Sequence, residues 1–108
     1  MELREIQNNV HALAREKGWW DAPRRPPEVL MLIVTELAEA MEEYRNGYGV
    51  AIRYNEDGKP EGMPIELADA VIRILDFCAY VDVDLEKYIL LKHEYNKTRP
   101  YRHGGKAA

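Results

Sequence analysis

PIELADAVIRILDFCAYVD, residues 64–82, is the stretch whose reading decides the fold. At 100° per residue, with Glu66 at zero, Phe77, Ala70, Val81, Ile74, Leu67, Cys78, Val71, Leu75, Ala68, Ala79, Ile72 and Ile65 sweep an apolar arc of roughly 240°. The narrow stripe that remains holds Glu66, Asp69, Arg73, Asp76 and Tyr80. So wide an apolar arc must be packed on several sides. Its charged line therefore faces something that offsets the cost of bringing carboxylates inside.

Upstream, Pro26 and Pro27 suit the first turn of a second long helix, residues 28–46, which stops at Asn46-Gly47. Its apolar stripe is Val29, Leu30, Ile33, Leu37, Ala40, Met41 and Tyr44. On the same projection Glu36, Glu39 and Glu43 fall within about 60° of one another, at the border of the packed face, whereas Glu42 points to solvent. Two helices thus carry acids at i and i+3, Glu36 with Glu39 and Glu66 with Asp69. Packed antiparallel, they would bring the two pairs together. Carboxylates about 5 Å apart repel by roughly 3 kcal/mol per pair at an effective dielectric of about 20, so four of them require a cation. An all-oxygen donor set selects a hard ion, Mg²⁺ or its substitute Mn²⁺. A di-iron carboxylate bundle is disfavoured, since no histidine stands at the third position after Glu36, Glu39 or Glu66.

The flanks are helical too. Residues 2–17 space Leu3, Ile6, Val10, Leu13 and Ala14 along one helix face, and Gly18 stops it. Trp19 and Trp20 follow, then a proline-rich segment that cannot continue the helix. Adjacent tryptophans cannot share one face, so one is free to line a pocket and stack on a flat base while the other packs. Residues 47–63 form a long connection, with a short hairpin expected around Val50–Tyr54 and a turn at Asp57-Gly58. Asp84 is a fitting N-cap for a last helix over 85–98, and Pro100 ends it. On that helix Lys92, Asn96 and Arg99 stand at i, i+4 and i+7, a donor set suited to phosphate oxygens. Arg102 and Lys106 in the basic tail, residues 98–108, could close over the same phosphates.

With 108 residues the chain has room for one domain, 1–108, whose modest core invites self-association. A net charge of -4 and a pI near 5.4 argue against a binder of nucleic-acid polymers or membrane surfaces. Cys78, the one cysteine, falls on the apolar arc and reads as a core thiol. No basic-then-apolar leader opens the sequence, and its longest apolar run, Val29 to Val34, is far too short to span a bilayer, so a cytoplasmic location is expected.

The blocks TELAEAMEEYR and IELADAVIRILD, with Glu36-x-x-Glu39 and Glu66-x-x-Asp69 separated by 26 residues, resemble the all-α nucleotide pyrophosphohydrolases of the MazG-like superfamily. The resemblance covers most of the chain. It extends to Lys92-x-x-x-Asn96-x-x-Arg99, similar to that family's phosphate-binding end, and to His11 with Trp20, similar to base-surrounding residues of its dCTP pyrophosphatase branch. It implies an all-α four-helix bundle assembled as a homodimer or homotetramer. It also implies Mg²⁺ on Glu36, Glu39, Glu66 and Asp69, with Asp76 where relatives carry Asn or Asp near the metals. The implied reaction is hydrolysis of a (deoxy)nucleoside triphosphate to the monophosphate and pyrophosphate, a nucleotide-pool cleansing activity, with Glu39 or Glu36 taking the proton. A helical module that binds a nucleotide or a partner helix without hydrolysis is the other expectation.

Overall fold

The structure, a computed structural model, describes residues 1–101, and Arg102 and Lys106 lie outside them. Four helices, α1 (Leu3–Glu16), α2 (Pro26–Arg45), α3 (Met63–Tyr80) and α4 (Leu85–Lys97), make up most of it. A two-stranded antiparallel hairpin, β1 (Arg53–Tyr54) and β2 (Pro60–Glu61), stands between α2 and α3. No helix among the described residues is long and apolar enough to cross a membrane.

As its wide apolar arc demands, α3 is central and packs on both α1 and α2. The core is small: Val29, Ile33 and Ala40 of α2 and Ala70, Leu75 and Cys78 of α3 are its buried apolar residues. Trp20, Ile74 and Phe77 close over the cluster of Val29, Ile33 and Ala70. Burial raises the Cys78 thiol above its ordinary pKa, as befits a core position.

Two helices cannot cover an arc of roughly 240°, and Leu67, Val71, Ile72 and Val81 stay exposed. On α2 the expected stripe splits. Val29, Ile33, Glu36 and Ala40 are buried, whereas Leu30, Leu37, Met41 and Tyr44 stay exposed. The buried line is rotated toward Glu36, because the Glu36–Arg73 ion pair and the small Ala40 turn that side of α2 toward α3.

The fourth helix behaves differently from the other three. Asp84 caps it, its Oδ1 accepting from Lys87 N, yet none of its residues is buried. Its start is held from α1 by Gln7, a buried polar residue that no apolar pattern marks. Gln7 Nε2 donates to Val83 O at 2.8 Å, and its Oε1 accepts from Leu85 N at 3.4 Å.

The hairpin is shorter than expected and better anchored. Arg53 donates in a fork to Glu43 at 2.9 and 3.0 Å, reaches Glu61 at 3.7 Å, and lies 3.8 Å over the Tyr48 ring. Its hydrogen bonds hold the Glu43 carboxyl below its usual pKa, so Glu43 serves the hairpin and not an acid cluster. The Asn55 side chain accepts from the backbone N–H groups of Asp57 and Lys59, closing the turn. Gly62 then joins β2 to α3 with φ 130°, where an added Cβ would lie 2.5 Å from Ala51 O. Gly62→Ala must therefore shift the hairpin or the first turn of α3, which carries Glu66. The expected cost is about 2 kcal/mol, measurable as a lowered midpoint in chemical denaturation, and an unchanged midpoint would contradict this geometry.

Candidate functional site

The α2–α3 contact gathers acids. Glu36, Glu39 and Glu66 each present a carboxylate oxygen within 4.8 Å of the others, Glu36 buried, Glu66 half-buried and Glu39 exposed. At such a distance two full charges repel by roughly 3 kcal/mol at an effective dielectric of about 20. Two devices relieve the repulsion. Arg73, on the polar line of α3, donates from Nε to Glu36 Oε1 at 2.8 Å. Glu66 keeps its proton: burial, then the adjoining Glu39 carboxylate and the charge of Asp69, push its pKa to about 7.

One atom of this cluster meets no donor. Glu66 Oε2 is buried, and the groups beside it, Glu39 and Glu36, are themselves acceptors, to which only the protonated Glu66 carboxyl could donate. Asp69, one turn on, is also raised, by burial and by Glu36 and Glu39, against the opposing charges of Arg73 and Lys59. It is not a member of the three-glutamate cluster, and it lines the adjoining cavity instead.

That cavity measures about 370 Å³ and opens between α1, the Trp19–Arg24 segment, α2 and α3. Its apolar wall includes Val10, Leu13, Val29 and Leu32, with the indoles of Trp19 and Trp20. Lys17, Arg24 and Arg73 bring cations; Glu36, Asp69 and Asp76 bring carboxylates. Glu36 thus belongs to both the cavity and the acid cluster.

Asp76 stands apart from the other acids. Its Oδ1 accepts from His11 Nδ1 at 2.7 Å and from Trp20 Nε1 at 2.9 Å, and Oδ2 lies 3.1 Å from the same indole nitrogen. The structure places Asp76 with His11 and Trp20, not with the glutamate cluster. Trp20 also stacks on Tyr80, centroids 3.9 Å apart and 12° from parallel, so its ring plane is fixed. His11 reaches the site through Asp76 and does not itself line the cavity.

Lys92 and Asn96 lie on exposed α4, sharing a shallow groove with Leu85, Tyr88 and Ile89. Arg99 follows, also exposed, and neither the cavity nor the acid cluster includes any of the three. Both tryptophans line the cavity, where one was expected to line a pocket while the other packed. Sequence reasoning missed the roles of Arg73, Arg24 and Lys17, of which only Arg73 had a legible signal, its place on the polar line of α3. The chain matches no family model, no characterised protein and no solved structure.

The raised Glu66 carboxyl has a thermodynamic consequence. Between pH 4.5, the ordinary glutamate value, and about 7 the folded chain holds a proton that the unfolded chain has released. Stability from this group is therefore lost as pH rises through that window. Thermal melts of the metal-free protein at pH values from about 5 to about 8 should fall with rising pH, and Glu66→Gln should flatten the decline. An identical pH dependence in the variant would refute the assignment.

Proposed function

We propose that the chain hydrolyses a (deoxy)nucleoside triphosphate to the monophosphate and pyrophosphate with Mg²⁺, or Mn²⁺ in its place, as the MazG-like pyrophosphohydrolases it resembles do. The observation that carries this reading is the buried Glu66 Oε2, which no donor meets, in a three-glutamate cluster that shares Glu36 with an indole-walled cavity. The donor set fits the ion: its oxygens suit a hard dication, and a cation can replace the proton that Glu66 retains.

Glu36, Glu39 and Glu66 would hold the ion, with Asp69 beside them. Bound there, it supplies neutralisation of phosphate charge and a water acidified for attack. Glu39, the exposed acid, is the residue placed to accept a proton from the attacking water. Glu36, tied to Arg73, is less available for that role. Trp20 offers its fixed ring to the base, and Asp76 and His11 hold that ring in position. Cleansing of the cytoplasmic nucleotide pool is the biological role that fits such a reaction.

Pyrophosphate release from a panel of canonical and damaged nucleoside triphosphates with Mg²⁺ tests the reaction. Glu66→Gln and Glu36→Gln should each lower turnover by about a hundredfold or more while circular dichroism stays helical. Full activity in either variant would remove the acid cluster from the mechanism. The second reading, a nucleotide-binding module without hydrolysis, draws on the Glu36–Arg73 pair, which neutralises Glu36 without a metal. Thermal stabilisation by nucleotide with no pyrophosphate release would favour it.

Assembly belongs to the same reading. Leu30, Val34, Leu37, Met41 and Tyr44 lie at i, i+4, i+7, i+11 and i+14 on α2, all exposed, beside the buried face. On α4, Leu85, Tyr88, Ile89, Lys92 and Asn96 share one face. A second copy covering these stripes would complete a four-helix bundle in a homodimer or homotetramer and bring Lys92, Asn96 and Arg99 to a partner's phosphates. Sedimentation should report a species larger than the monomer, and Leu37→Glu should shift it to monomer. A monomeric wild-type protein at micromolar concentration would refute the assembly.

A further inference from the structure

Arg73 is oriented by the protein and left with unused donors. Its Nε is bonded to Glu36, which fixes the guanidinium plane, and its side chain is 30% exposed where it lines the cavity. Neither Nη1 nor Nη2 has a hydrogen-bond partner among the described residues. The guanidinium carbon lies over the Trp19 ring, 5.7 Å from its centroid, and Arg24 lies over the same ring at 5.2 Å.

Two of the three carboxylates that line the cavity are committed elsewhere. Both oxygens of Asp76 face the Trp20 indole N–H, and Oδ1 also takes His11. Glu36 takes Arg73, whereas Asp69, one turn before Arg73 on α3, lines the cavity as an acceptor. A planar ring entering the cavity meets Asp69 as an acceptor and Arg73 as a donor, and Arg73 supplies the only forked pair of free N–H groups with a plane fixed by a carboxylate among the described lining residues. Such a fork is satisfied by two adjacent acceptors on one edge.

We infer that Arg73 makes this cavity select a nucleobase with two adjacent hydrogen-bond acceptors on one edge. Guanine meets the requirement with O6 and N7, and cytosine with N3 and O2. Adenine and uracil present alternating donors and acceptors, which leave one arm of the fork unpaired. The inference rests on the reading of the cavity as a nucleotide site, and it assigns Arg73 to specificity, not to the reaction.

The test is calorimetric titration of the full chain, with Mg²⁺, by GMP, CMP, AMP and UMP. Wild type should bind GMP or CMP about tenfold or more tighter than both AMP and UMP. Arg73→Lys keeps a cation beside Glu36 but loses the fork, and Arg73→Gln loses both; in each the preference should collapse to within about twofold. The ratio between bases is the deciding readout, since a merely structural Arg73 would weaken all four nucleotides alike. Equal binding by wild type, a preference for AMP or UMP, a preference that survives in Arg73→Lys, or uniform weakening in both variants would each overturn the inference. The arms also separate it from the reaction. Pyrophosphate release from all four triphosphates at equal kcat/KM would keep the hydrolase and reject the base selection. Selective binding with no release would do the reverse.

Discussion

Three glutamate carboxylates within 4.8 Å of one another, on two helices packed face to face, are the constraint around which the rest of the molecule is arranged. Helices do not approach through like charges unless something compensates. Here the compensation is divided between a cation on the facing helix and a proton. Arg73 meets Glu36 across the α2–α3 contact, and Glu66 remains protonated up to about pH 7. The second device can be exchanged, since a proton yields to a metal ion.

The surrounding elements hold this contact in register. The hairpin is clamped to α2 through Arg53 and Glu43 and joined to α3 through Gly62, so the end of α2 and the start of α3 cannot drift independently. On the opposite flank, Asp76 ties α3 to His11 of α1 and to Trp20 of the connecting segment. The cavity lies between these two ties. The Trp20 indole is positioned by its hydrogen bonds to Asp76 and by stacking on Tyr80, and the Trp19 indole lies under Arg24 and Arg73.

Apolar surface outside the core carries a message of its own. The same helices that bury Val29, Ile33 and Leu75 expose a continuous line on α2, part of the arc on α3, and nearly all of α4. In a chain of this size the fraction of surface buried by folding alone is modest, and exposed apolar stripes of this extent are the kind of surface that a partner covers. The donors Lys92 and Asn96 share a face with Tyr88 and Ile89, so covering that face would also fix their position.

Sequence alone determined the four helices, the central place of α3, the core position of Cys78 and the candidate role of both acidic pairs, because these follow from periodicity and from the chemistry of carboxylates at i and i+3. Tertiary structure decided which acids meet. It joined Glu36, Glu39 and Glu66, left Asp69 on the cavity wall, gave Asp76 to His11 and Trp20, and gave Glu43 to Arg53. It also rotated α2 so that half of the expected stripe stayed exposed, and it left α4 without a buried residue. The physical reason is common to all of these. A helix projection states which residues share a face, but which faces meet depends on ion pairs such as Glu36–Arg73, on small residues such as Ala40, and on a buried amide such as Gln7, whose partners lie far away in the chain.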